Sequence, residues 1–274
     1  MTAVTDAPDF WLGSSWKMTK TLAEARTFVD ELIRAELPAS PRLFLLPAHT
    51  ALAAVRDRLG GDSQVLLGAQ NAHAGPEGAV TGEVSMRMAR DAGAELVELG
   101  HAERRMAFCE TDDLVAAKVV AAVDAGLTPL VCVGETLEQR CRGVAVDVVV
   151  AQVRAALGGL GRVRANVWVA YEPHWAIGSS GQAAFPDEVA EVIDAIRVEL
   201  PVLLPEARCR VFYGGSVGAD NVRAFVSGLS IDGLFVGRAA WTASGFLDLA
   251  HRCSAALEER IGSAPTHSTR REET

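Results

Sequence analysis

The stretch VAYEPHWAIGSSG, residues 169–181, couples a strand to a loop. Val167, Trp168, Val169 and Ala170 form an apolar, β-rich run that reads as a buried strand. Glu172 stands where that strand ends, and Pro173 stops the ladder because it has no N–H to give. Beyond it the chain turns from apolar (Trp175, Ala176, Ile177) to small and flexible (Gly178, Ser179, Ser180, Gly181). A carboxylate on a rigid strand end, beside a segment able to fold over it, suits a base that must be shielded from water. A solvated Glu at a β-turn is the plain alternative.

Working outward, short apolar strands are expected at Phe10–Ser15, Leu43–Pro47, Val65–Ala69, Glu95–Leu99, Pro129–Val133, Arg208–Tyr213 and Leu234–Val236. Helices alternate with them. Thr21 with Glu24 forms a capping box ahead of the stripe Leu22, Ala25, Phe28, Val29, Leu32, Ile33. Further helices are expected at His49–Leu59, in a short segment after Gly82, at Leu114–Asp124, over about 136–157 with Gly143 as a candidate break, at Pro186–Glu199, near Asp220–Val226 and at Ala243–Arg260. Strands alternating with helices imply right-handed βαβ units and a parallel sheet. Eight such units close into an α/β fold, a (β/α)8 barrel, with its active site at the C-terminal strand ends. A doubly wound open sheet is the runner-up, but no GxGxxG follows the first strand. One domain over residues 10–262 is expected, with disorder at 1–9 and in the polar tail 263–274.

Composition narrows the class. The 274 residues are 49% hydrophobic and 22% charged, with a net charge of −9, which disfavours nucleic acid or an anionic membrane as partner. No apolar run approaches the roughly 18 residues of a membrane span, and no signal peptide is apparent. Five scattered cysteines without CxxC read as reduced thiols of a cytoplasmic protein. The six histidines show no HxH or HExxH spacing, which disfavours a metal-dependent aldolase.

In a barrel, residues just past each strand share one rim. Lys17 follows the first strand, His101 and Glu103 the fourth, Glu135 the fifth, Glu172 the sixth, Gly214, Gly215 and Ser216 the seventh, and Gly237 and Arg238 the eighth. Singly, each has a structural reading: a surface lysine, a bonded histidine, a Glu–Arg salt bridge, a turn. Together they place a base, a proton donor, a cation and two glycine-rich N–H nests on one rim.

With those residues in place, the chain resembles the triosephosphate isomerase family. WKM at 16–18, AQN at 69–71, GAVTGEVS at 78–85, GHAERR at 100–105, AYEPHWAIG at 170–178, YGGSV at 213–217 and the VG of the last strand match it in order and spacing, from about Phe10 to Leu257. The resemblance implies a TIM barrel that isomerises short phosphorylated sugars with neither metal nor organic cofactor. It implies Glu172 as the carbon base, His101 as the electrophile that shuttles protons, Lys17 as the cation facing substrate and enediolate, and Glu103 as a supporting carboxylate behind the site. Gly178, Ser216 and Gly237 are implied as N–H donors to phosphate, Trp175–Ala183 as a lid and Tyr213 as its latch. Triosephosphate isomerases use a neutral histidine at a helix N-terminus and a closing loop in this way. The loop Gly75–Ser85 resembles one that inserts into a second subunit, implying a homodimer. A barrel that binds phosphate without catalysis is the rival of another class; the joint presence of Lys17, His101 and Glu172 argues against it.

The departures point to the substrate. Ser15 stands where the family usually has Asn, Ala102 where it has Ser, His174 where it has Val at the first hinge, SSGQ at the lid tip where TGKT is usual, and GRAAW with Arg238 at the last strand. Ser15 and Ala102 shrink side chains near the reacting end, which makes room for a longer substrate. GSSWKMTKT and IDGLFVGRAAW lie closer to the erythrulose-phosphate branch. The expected reaction is therefore L-erythrulose 1-phosphate to D-erythrulose 4-phosphate, with dihydroxyacetone phosphate to D-glyceraldehyde 3-phosphate as the alternative. For Arg238, a backbone N–H facing phosphate with the side chain turned away or on the added hydroxyl is weighed against a surface Arg at a helix start.

Overall fold

Eight strands follow one another around a closed parallel barrel: β1 Trp11–Ser15, β2 Arg42–Leu46, β3 Val65–Ala69, β4 Leu96–Leu99, β5 Thr128–Val133, β6 Asn166–Tyr171, β7 Arg208–Tyr213 and β8 Gly233–Val236. The computed structural model describes residues 9–61, 63–177, 181 and 183–262. β8 closes the ring on β1 with Trp11 opposite Gly233, which rules out the open doubly wound sheet.

The strands read as nearly continuous apolar runs because both faces are buried. Alternate side chains point to the axis, where Trp11, Phe44, Leu96, Leu130, Trp168, Phe212 and Phe235 fill the barrel. Phe44 lies across β1 at Gly13, where a Cβ would come within 1.9 Å of its ring. The opposite faces pack beneath a surrounding shell of helices. That shell comprises α1 Leu22–Arg34, α2 His49–Leu59, α3 Met86–Asp91, α4 Ala102–Ala107, α5 Asp112–Asp124, α6 Leu137–Cys141, α7 Ala145–Leu157, α8 Pro186–Leu203, α9 Val222–Gly228 and α10 Ala243–Gly262.

The Thr21–Glu24 capping box is present. α1 buries Ala25, Phe28, Val29 and Leu32, whereas Leu22 and Ile33 are exposed, so its apolar stripe is narrower than the sequence pattern. Gly143, at φ +71°, separates α6 from α7. α4 is not expected from periodicity, since only Ala102 of its six residues is buried. Among the described residues no helix is long and apolar enough to cross a membrane. The five cysteines are all unpaired.

Candidate active site

A cavity of about 560 Å3 opens at the C-terminal strand ends, within the size range of small-ligand sites. Ser15, Lys17, His101, Glu103 and Glu172 line it together with Ser216, Gly237 and Arg238. Gly178 lies outside the described residues, as do Ser179, Ser180 and Gln182 of the expected lid. The remaining expected site residues therefore share one mouth of the barrel.

His101 is placed by its own backbone. It is the N-cap of α4, and its Nδ1 accepts the backbone N–H of Glu103 at 3.1 Å. That bond leaves Nδ1 without a proton, so in the neutral ring the proton is on Nε2. Nε2 lies 3.4 Å from Oε2 of Glu172. Burial, the Lys17 charge and then His174 depress the imidazole pKa to about 3. The ring is therefore a neutral hydrogen-bond donor at working pH. In 15N NMR, His101 is expected to keep one Nε2–H tautomer between pH 5 and 9; a midpoint near 6.5 would contradict this geometry.

Glu172 follows β6, with its backbone N–H bonded to Val133 at 2.8 Å. Its carboxyl is buried, and Oε2 has no hydrogen-bond partner among the described residues. Gly214 leaves it room: a Cβ there would stand 2.7 Å from Glu172 Cγ. Burial, with the nearby Glu98 charge adding, pushes the Glu172 pKa up to about 8, against the pull of Lys17. This is a carboxyl held ready to exchange a proton near neutrality.

Lys17 sits in the left-handed region at φ 52°, a strained backbone for a non-glycine residue and one seen at functional sites. Gln70 steadies that turn, donating from Nε2 to the carbonyls of Lys17 (3.0 Å) and Leu46 (2.9 Å). The ammonium bonds Glu103 at 2.7 Å. Burial works against its charge, but the Glu103 hydrogen bond and the charges of Glu172, Glu103 and Glu98 outweigh burial and raise its pKa. Glu103 is half exposed at the rim rather than behind the site.

Supporting contacts surround these groups. Glu135, fully buried, accepts Trp175 Nε1 at 2.7 Å and Tyr171 Oη at 3.1 Å, anchoring the segment that leaves Glu172. The Tyr213 hydroxyl is buried with no hydrogen-bond partner among the described residues. Asn221 shapes the turn after β7, accepting the Gly218 N–H at 2.8 Å and donating to the Ser216 carbonyl at 3.0 Å. Trp241 Nε1 donates to the Ser15 carbonyl at 3.0 Å. Arg238 is exposed in the single turn Arg238–Ala240 after Gly237.

Two buried groups escape a reading of the sequence. Lys118 of α5 bonds Asn71 at 2.9 Å and also Glu110, which binds Arg104 of α4; this holds the helix that His101 caps. Glu98, inside β4, accepts the Ser15 hydroxyl at 2.8 Å. Neither residue breaks the apolar pattern enough to be singled out.

A barrel with a base, a neutral imidazole and an ammonium around a cavity at the strand ends defines the class: an α/β-barrel with acid–base machinery. Residues 10–253 match the family model described as triosephosphate isomerase. The chain belongs to the triosephosphate isomerase family. Its relatives include proteins named L-erythrulose-1-phosphate isomerase. That of Brucella abortus is 45% identical over 91% of this chain and 98% of its own length. That of Rhizobium rhizogenes is 45% identical over 93% and 98%, and that of Mycolicibacterium smegmatis 44% over 91% and 95%.

Proposed function

We propose that this chain isomerises short ketose phosphates through a cis-enediolate, converting L-erythrulose 1-phosphate to D-erythrulose 4-phosphate. The observation that carries the chemistry is the His101–Glu172 pair, 3.4 Å apart beside Lys17. Membership of the family and the names of the relatives support the substrate. The phosphate takes the end of the cavity formed by the turns at Ser216 and Gly237, with the Arg238 backbone beside it; Gly178, assigned as a third N–H donor, lies outside the described residues.

Glu172 removes the proton from C3, next to the C2 carbonyl. The charge that develops on O2 meets the Nε2–H of His101 and the ammonium of Lys17, which need not reorganise to receive it. His101 gives O2 a proton and receives the one on O3. Glu172 then returns its proton to C2, leaving the carbonyl at C3, which is C2 of the product. Each atom is conserved and no redox partner is needed. Glu103 keeps Lys17 extended toward the reacting carbons. To Trp175–Ala183, part of which lies outside the described residues, we assign the role of excluding water that would weaken these interactions and let the intermediate lose phosphate.

The active form we propose is a cytoplasmic homodimer. Met18 is almost fully exposed, and Phe108, which lines a second cavity with it, is exposed too, as are Met88 and Val80. This second cavity has Met18, His49, Phe108 and, from the Gly75–Ser85 loop itself, Gly82 in its lining, which puts the loop assigned to the subunit contact beside exposed apolar side chains. Sedimentation is expected to give one species of twice the chain mass at micromolar concentration. A monomer at every concentration would contradict it.

A further inference from the structure

Glu98 takes no part in the proton transfers above, yet it occupies a costly place. It points inward two residues beyond Leu96, which belongs to the apolar filling of the barrel. A carboxyl there must be buried, and burial pushes its pKa up to about 7. It also makes Glu172 harder to ionise. Its Oε2 accepts the Ser15 hydroxyl at 2.8 Å, while Oε1 meets only the Cys132 thiol at 4.0 Å, a weak contact. No ion pair to Glu98 is formed among the described residues.

Its position relative to the cavity gives it a use. The second cavity, also about 560 Å3, shares Ser15, Lys17, His101 and Glu103 with the first. It extends to Glu98 and Gln70 and away from Ser216 and Gly237. A substrate anchored by its phosphate at the two turns, with its reacting carbons at His101 and Glu172, therefore presents its far end to Ser15 and Glu98. For a triose phosphate the reacting carbon carries only hydrogen there. For a tetrulose phosphate it carries a hydroxymethyl group.

We propose that Glu98, together with Ser15, binds the terminal hydroxymethyl group of the four-carbon substrate and so sets the preference for chain length. This rests on the tetrulose reading above. Ser15 donates its proton to Glu98 Oε2 and keeps its lone pairs to accept the proton of the substrate hydroxyl; Glu98 Oε1, in the protonated carboxyl, donates to that hydroxyl's oxygen and completes the pair of contacts. A pocket built to bond a hydroxyl discriminates against an analogue that lacks it, because the pocket's own polar groups are then left unpaired.

The test is kcat/KM for L-erythrulose 1-phosphate and for D-glyceraldehyde 3-phosphate in the native protein and in Glu98→Leu, Glu98→Gln and Ser15→Ala. For Glu98→Leu the tetrulose-to-triose ratio is expected to fall about 10–100-fold, the loss of one hydrogen bond to a charged or strongly polar group. Glu98→Gln, which keeps shape and an acceptor, should retain part of the ratio, and Ser15→Ala should lower it in the same direction. Inhibition by erythritol 4-phosphate against glycerol 3-phosphate gives the same ratio from binding alone, and the isosteric Gln variant serves if the Leu variant does not fold. Equal losses on both substrates, or an unchanged ratio, would overturn the role of Glu98 while leaving the tetrulose reaction standing. A native protein that prefers the triose would overturn the tetrulose reading itself, and this inference with it.

Discussion

Glu172→Gln is expected to lower kcat by about 10²–10⁴-fold while glycerol 3-phosphate still binds within about threefold of the native protein. The amide keeps the volume beside Gly214 but cannot take a proton from carbon, and it leaves in place the backbone N–H groups assigned to phosphate at Ser216 and Gly237. The same change should stabilise the fold at alkaline pH. The carboxyl pKa is raised in the folded protein, to about 8 from 4.5, so between those values the native state holds a proton that the unfolded chain has released. Stability therefore falls as pH climbs through that window, and the Gln variant is spared the loss. At pH 8 its Tm should exceed the native value by about 2–4 °C per kcal/mol recovered, and at pH 4 the two should converge. A variant that retains turnover, or loses phosphate binding along with it, would remove Glu172 from the role of base.

Lys17→Met should cost about 10²–10³-fold in kcat/KM, the effect of removing a group preorganised for developing charge. It should also move the pH profile. Lys17 pulls the Glu172 pKa down against burial and against Glu98. Without the ammonium the base is harder to ionise, so the acid limb of kcat/KM should shift to higher pH. The substrate phosphate ionises alike with both proteins, so the difference between their limbs reports the enzyme. A reduced rate with an unmoved limb would mean that Lys17 holds substrate without setting the charge state of Glu172. Glu103 offers a control: it contacts Lys17 at 2.7 Å but is half exposed, so Glu103→Gln should have a smaller effect on both.

Much of this was legible in the residues. The alternation of strand and helix predicts the barrel because a parallel sheet buries both faces and needs a crossover helix after each strand. Val65–Ala69, Arg208–Tyr213 and His49–Leu59 have the expected ends, and Gly143 divides a helix where a left-handed turn is needed. The limits have physical reasons too. AERRMA carries no apolar stripe, so α4 depends on the His101 cap and on Arg104 bound to Glu110. Leu22 and Ile33 satisfy helical spacing, but α1 meets its neighbours along a narrower band. Glu98 was hidden for a different cause. When both strand faces are buried, a period of two cannot tell which side is the axis. A polar residue near the end of such a strand therefore does not announce that it faces a ligand. Its meaning came from three-dimensional neighbours, Ser15 on one strand and Cys132 on another.

The chemistry and the substrate converge on one comparison: kcat/KM of the native protein for L-erythrulose 1-phosphate against D-glyceraldehyde 3-phosphate, measured in the same buffer. The account predicts isomerisation of both, with the four-carbon substrate favoured by about 10–200-fold, the range that one methylene and its contacts supply. Preference for the three-carbon substrate would contradict the assigned reaction, and phosphate binding without isomerisation of either would contradict the proton-transfer site formed by Glu172, His101 and Lys17.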